Sequence, residues 1–119
     1  MTRQYFMELP KPEPKRINFI ARDRSYHGNT LGSLSLSGHK ARRTIYEPIL
    51  AGNFSHVSPC YAYRYMKPDE SNEQYVARLA QELEDEFQRL GPETVCAFVA
   101  ETVAGLVSLA FPTRSAADR

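Results

Sequence analysis

Four residues of this chain have the types that bind and handle a small polar ligand. Tyr26, His27 and Gly28 stand together in Ser25-Tyr26-His27-Gly28-Asn29-Thr30, and Glu101 follows the apolar run 95–100. A phenol ring offers a stacking face, an imidazole offers a hydrogen bond at either nitrogen, and a glycine lets backbone come close to a ligand. Each feature also has a plain alternative. A Tyr-His pair in a turn also serves ordinary packing, and a carboxylate after an apolar run is either the rim of a site or the point where the chain meets water again.

The surrounding elements decide how these residues are held. Ile17-Asn18-Phe19-Ile20-Ala21 is β-branched and aromatic and predicts a strand, with the Tyr-His-Gly turn following its charged end, Arg22-Asp23-Arg24. A helix is predicted over 72–90. Ser71 and Gln74 have capping-box spacing, and Val76, Leu79, Ala80, Leu83, Phe87 and Leu90 recur at three- and four-residue steps that share one face. Glu82, Glu84, Asp85 and Arg89 fall on the other, solvated face, where Asp85 and Arg89 have the spacing of an i,i+4 pair, and Gly91-Pro92 stops the helix. The run 95–100 has no alternation, as in parallel strands covered on both faces. Strand, helix, strand in this order predicts an α/β layer, with Glu101 at the carboxyl end of a strand, where open α/β sheets place ligands.

The remaining segments are connectors and short elements. Residues 1–7 read as the end of a helix, and Pro10, Pro12 and Pro14 force an extended link after it. Leu31, Leu34 and Leu36 predict the inner side of a short helix closed by Gly38. Ser55-His56-Val57 predicts a second short strand closed by Pro59, with His56 a satisfied structural histidine. Tyr61, Tyr63 and Tyr65 alternate in a loop setting.

With 119 residues, 42% hydrophobic and 24% charged, the chain is at most one domain of globular composition. Fifteen basic and fourteen acidic side chains leave a net charge of +1, which provides no electrostatic basis for binding nucleic acid or an anionic membrane. The Arg42-Arg43 pair is expected to be solvated surface. Cys60 and Cys96 lack metal-ligand spacing and fit a reduced, cytoplasmic or otherwise intracellular chain. No metal site is predicted. No apolar stretch reaches the usual spanning length, and residues 1–7 lack the apolar run of a signal peptide.

The longer pattern is more specific. Phe19-Ile20-Ala21-Arg22, Ser25-Tyr26-His27-Gly28-Asn29-Thr30-Leu31-Gly32, Ser55-His56-Val57, Tyr75-Val76-Ala77-Arg78-Leu79, Leu90-Gly91-Pro92-Glu93-Thr94-Val95 and Ala97-Phe98-Val99-Ala100-Glu101-Thr102-Val103 occur in one order. Together they resemble the class III aminotransferases, pyridoxal-phosphate enzymes that move amino groups from amines and ω-amino acids to keto acids. The resemblance covers residues 1–105 as a partial large domain. It implies a slice of the mostly parallel, three-layer sheet of a fold-type I transferase. It leaves 106–119 as a divergent tail, pointing to a retained intron, frameshift or premature stop after Gly105.

The same resemblance assigns roles. It implies that Tyr26 stacks on the pyridine ring of pyridoxal 5'-phosphate, that His27 and Gly28 lie beside it, and that Glu101 sits near cofactor and substrate. Thr102 stands where the family has the proline of Glu-Pro-Val. The family's Schiff-base lysine, its pyridinium aspartate and its phosphate loop have no counterpart in the matched stretch. Lys11, Lys15, Lys40 and Lys67 stand in no such motif. The resemblance therefore assigns no catalytic residue here and implies an inactive isolated chain. It further implies a homodimer for the longer enzyme, with a small-molecule amine donor and a keto acid as partners. The alternative is a non-catalytic interaction protein that docks on a full-length aminotransferase subunit through the stripe from Val76 to Leu90.

Overall fold

A computed structural model describes residues 1–102, so the tail 106–119 and the end of the partial domain lie outside the described residues. Three strands form its centre: β1 (Asn18–Arg22), β2 (Phe54–Val57) and β3 (Val95–Val99). Their order is β2-β1-β3, and both pairings are parallel. This is the parallel α/β layer that strand, helix, strand predicts.

β1 is the middle strand and is covered on both faces. Ile20 and Ala21 are both fully buried, and consecutive strand residues point to opposite faces. On one face Ile20 packs with Val57 and Val95, and Leu83, Phe87, Leu90 and Phe98 close over them. On the other, Ala21 lies opposite His56, whose Nε2 is 2.9 Å from the Leu36 carbonyl oxygen. Leu36 ends α2 (Leu31–Leu36), which Thr30 caps by accepting from the Ser33 N–H. Leu34 of α2 is buried, but Leu31 is exposed, because six residues make under two turns and present only part of the stripe inward.

α1 (Thr2–Met7) precedes β1, and α3 (Lys40–Arg43), α4 (Ala62–Tyr65) and the long α5 (Asn72–Leu90) lie between the strands. The predicted capping box opens α5: the Gln74 N–H donates to Ser71 Oγ, and the Ser71 N–H donates to Gln74 Oε1. The predicted stripe is corrected at its start. Leu83, Phe87 and Leu90 face the sheet, but Val76 is exposed and Tyr75 is buried in its place. The first turns of α5 pack on the loop after β2 instead of on the sheet. There the Tyr75 hydroxyl donates to the Pro59 carbonyl and accepts from the Tyr61 N–H.

Two further expectations for α5 change. Arg89 donates to both carboxylate oxygens of Glu86 through Nε and Nη2, while Asp85 accepts from Gln81. Glu86 is the more enclosed carboxylate, and a partly buried charge gains more from a partner than one in open water. Glu82 also departs from the solvated face: its carboxylate accepts from the Ser58 N–H at 2.9 Å.

Gly38 is needed for close approach, not as a helix cap. Ser37 ends α2 in an extended conformation, and a Cβ on Gly38 would lie 2.3 Å from the Arg22 carbonyl oxygen and 2.5 Å from Asp23 Cα. Gly38 bridges in parallel to Asp23, extending the pairing just past β1. Gly38→Ala is expected to lower unfolding free energy by about 1–3 kcal/mol or more, because the clash is with backbone that has little room to move. Urea unfolding followed by circular dichroism measures this, and an unchanged midpoint would contradict the packing described.

The loop between α4 and α5 is tied by Glu70. Its carboxylate accepts from Arg78 Nε and Nη2, both at 2.8 Å, and from the Lys67 N–H at 3.0 Å. The Arg78 guanidinium, then the Lys67 amide, holds the carboxyl at about 2, below its usual 4.5. A folded-state pKa below the unfolded value adds stability above pH 4.5 that is lost as the pH falls through 2. The thermal midpoint should therefore fall over this window, and less steeply in Glu70→Gln. Identical slopes for the two proteins would show that Glu70 does not contribute.

Candidate active site

Parallel pairing puts the carboxyl ends of β1, β2 and β3 along one edge, and the candidate residues gather there. After β1, Arg24 takes a left-handed φ of 64°, held by its N–H donating to the Gly38 carbonyl at 2.9 Å. Ser25, buried, caps the turn: its Oγ donates to the Arg22 carbonyl at 2.6 Å. The chain then presents Tyr26, and the Tyr26 N–H donates to Glu101 Oε1 at 2.5 Å. Glu101 comes off the end of β3. Residues far apart in sequence thus meet through one charge-assisted hydrogen bond.

His27 and Gly28 complete the turn. The His27 N–H donates to Ser37 Oγ at 2.8 Å, and Ser37 Oγ donates in turn to the Ser33 carbonyl at 2.8 Å. His27 Nε2 is buried and has no hydrogen-bond partner among the described residues. Such an orphaned atom is costly unless something else bonds to it. Gly28 has φ 124°, and a Cβ there would lie 2.7 Å from Ser33 Oγ, so both conformation and space call for glycine. A cavity of about 40 Å³ opens between Arg22, Arg24, Ser25, Cys60 and Glu101. None of the four lysines borders it, and Lys11, Lys15, Lys40 and Lys67 are all exposed.

The structure brings Tyr26, His27, Gly28 and Glu101 together, as their separate sequence signals could not. It also adds residues that sequence reasoning missed. The Arg42 guanidinium lies 5.2 Å from the centre of the Tyr26 ring. Arg43, expected as solvated surface, donates from Nη1 to the Ser35 and Ser37 carbonyls at 2.9 and 2.7 Å, fixing the end of α2 behind the turn. Ser37 is fully buried between His27 and Ser33. A serine in a serine-rich run carries no mark of this. His56 is the structural histidine predicted: burial lowers its pKa first, the hydrogen bond to the Leu36 carbonyl works against this, and the Arg43 charge lowers it further.

The donor set fits a flat aromatic group with polar substituents. The half-buried Tyr26 ring has a face for such a group, the unpartnered His27 Nε2 has a hydrogen bond to give it, and Gly28 shapes the turn that carries both against Ser33. Residues 1–116 match the family described as Aminotransferase class-III. The chain belongs to the class III aminotransferase family.

Relatives within this family agree on the same stretch. An aminotransferase of Gibberella zeae is 53% identical over 106 residues, which is 88% of this chain and 21% of that protein. A probable gamma-aminobutyrate transaminase 3, mitochondrial, of Oryza sativa is 42% identical over 92 residues, covering 77% of this chain and 18% of its own length. The solved omega transaminase of Pseudomonas jessenii in complex with PMP superposes with a TM-score of 0.76 at 34% identity, over 82% of this chain and 22% of that one. The chain therefore spans about a fifth of the length of these class III relatives. The family match runs to residue 116, into the segment beyond Gly105 that lies outside the described residues.

Ser37→Ala should loosen the turn, because it leaves the buried His27 N–H without its acceptor. A loss of about 1–3 kcal/mol in unfolding free energy is expected. Faster amide exchange confined to His27 and its neighbours would be the local sign of it, and unchanged protection there would count against the assigned bond.

Proposed function

We propose that this chain is part of the cofactor-binding domain of a transaminase that moves an amino group from an amine or ω-amino acid to a keto acid, using pyridoxal 5'-phosphate. The observation that carries the reading is the Tyr26 N–H to Glu101 contact at 2.5 Å, beside the unpartnered His27 Nε2. It joins two motifs of the family at the carboxyl edge of a parallel sheet. The gamma-aminobutyrate transaminase and omega transaminase relatives support the amine and ω-amino acid side of the reaction.

When bound, the cofactor supplies an electron sink for the carbanion that forms as the donor loses its proton. In this reading Tyr26 offers one ring face for stacking, with Arg42 on the ring adding positive charge nearby. His27 donates or accepts through Nε2, depending on its tautomer. Gly28 keeps the turn clear of side-chain bulk. Glu101 fixes the backbone of Tyr26, and so the height of the ring above the sheet edge. These residues bind and orient, and none of the chain's four lysines borders the cavity at Glu101. We therefore propose that the isolated chain does not transaminate, and that the longer enzyme is a homodimer. We also propose an intracellular setting, which the free thiols of Cys60 and Cys96 support.

Two measurements on the purified chain test this. A coupled assay with pyridoxal phosphate, an amine donor and a keto acid should show no turnover. Added cofactor should shift the amide resonances of Tyr26, His27, Gly28 and Glu101, and do so about tenfold more weakly in Tyr26→Ala once ring stacking is lost. Turnover by the chain would overturn the inactivity, and shifts confined to other residues would overturn the site.

A further inference from the structure

Behind the turn that carries Tyr26, one nitrogen of the His56 ring has two neighbours with opposite demands. His56 Nε2 lies 2.9 Å from the Leu36 carbonyl oxygen, an acceptor, and 3.1 Å from Arg43 Nη1, a donor. A guanidinium Nη1 carries two hydrogens, and the Ser35 and Ser37 carbonyls take both, at 2.9 and 2.7 Å. None is left for the ring, so the ring holds its own hydrogen on Nε2 and donates it to Leu36. Nδ1 is then the bare nitrogen, the one a proton can join.

This contact is tolerable while the ring is neutral and repulsive once it is charged. Protonation puts an imidazolium nitrogen 3.1 Å from a guanidinium nitrogen, at a half-buried position where water screens charge weakly. The surrounding charges do not cancel it. Asp23 at the end of β1 favours the charged ring less than Arg43 opposes it, Lys40 borders the same cavity, and α2 brings no titratable group.

Arg43 also has somewhere to go. A cavity of about 260 Å³ opens beside it, bordered by Asp23, Lys40, Thr44, Glu47 and His56. Arg43 Nε already donates to the exposed Glu47 carboxylate at 3.2 Å. The guanidinium can swing outward to Glu47 and give up the two serine carbonyls. That release reaches the site, because Ser37 Oγ accepts the His27 N–H at 2.8 Å.

We propose that His56 is a positioning residue for the Tyr26-His27 turn. Neutral, it lets Arg43 hold the end of α2; protonated, it drives Arg43 out to Glu47 and loosens the turn. The response of the turn rests on contacts of this chain alone, and its effect on pyridoxal phosphate rests on the function proposed above. Burial first, and Arg43 after it, lower the pKa of the folded ring below 6.5 against the pull of the Leu36 carbonyl. The stability the ring contributes is therefore present above pH 6.5 and lost as the pH falls through the folded value.

The test takes the isotope-labelled full chain from about pH 7.5 down to about pH 5, the range in which histidines titrate. It reads the His56 ring resonances and the amide protection factors of His27 and Ser37. Protection at both amides should fall about tenfold as the ring titrates, the size expected for loss of a hydrogen bond to a charged group. The Leu83 and Phe87 amides of α5 should keep theirs. His56→Gln keeps a side-chain N–H for Leu36 and cannot titrate, so its protection should hold across the range. At the acid end it should bind pyridoxal phosphate more tightly than the unaltered chain, and at the neutral end equally well. Titration of His56 with unchanged protection would overturn the proposal without need of the variant, and so would an equal fall throughout α5. If protection follows the ring but pyridoxal phosphate binds neither protein, the positioning role stands and the proposed function fails.

Discussion

The parallel pairing of β1 with strands on both sides is the constraint on which the rest depends. Parallel strands share a direction, so the chain leaves all three at the same edge. That alone brings Tyr26 after β1, Cys60 after β2 and Glu101 after β3 into one neighbourhood. The pairing is held by burial of β1 on both faces. Ile20 faces the cluster closed by α5, and Ala21, having no bulk, lets β2 and its His56 come under α2. A larger residue at Ala21 would press on the α2 side and move the turn that carries Tyr26.

Polar contacts then convert this general arrangement into a particular site. The buried serines Ser25, Ser35 and Ser37 each use their hydroxyl within the turn and α2, replacing water with backbone partners. Arg43 satisfies the carbonyls at the end of α2, and Glu101 satisfies the amide of Tyr26. The result is a turn with one nitrogen left over, His27 Nε2; His39 Nδ1 before α3 and Ser55 Oγ on β2 are also unpartnered among the described residues. Buried polar groups are normally paired, so these atoms mark where the described chain has capacity for something else.

Much of the fold was legible in local pattern. The helix α5 showed itself through its capping box and its three-and-four spacing, because both are set by helix geometry over a few residues. The parallel character of β3 showed in an apolar run without alternation. The first turn of α5 was misjudged at Val76 because the stripe assumes a single flat partner, whereas that turn meets the loop at Pro59 and Tyr61 through Tyr75. Arg89 was assigned to Asp85 because spacing permits both partners, and only the enclosure of Glu86 separates them.

The sequence by itself determined the three strands and the long helix α5, the α/β class and the motifs that tie the chain to the class III aminotransferases, since these depend on residue order and short-range geometry, whereas the short helices α3 and α4 lie where it read a mixed segment and a loop. It also marked Tyr26, His27, Gly28 and Glu101 as candidates by their chemistry. Only the tertiary structure decided that the Tyr26 amide meets the Glu101 carboxylate, that Arg42 lies on the Tyr26 ring, and that Arg43 reaches the Ser35 and Ser37 carbonyls beside His56. Those contacts join segments separated by whole elements. Their distances follow from how strands pair and helices pack, which no local spacing records.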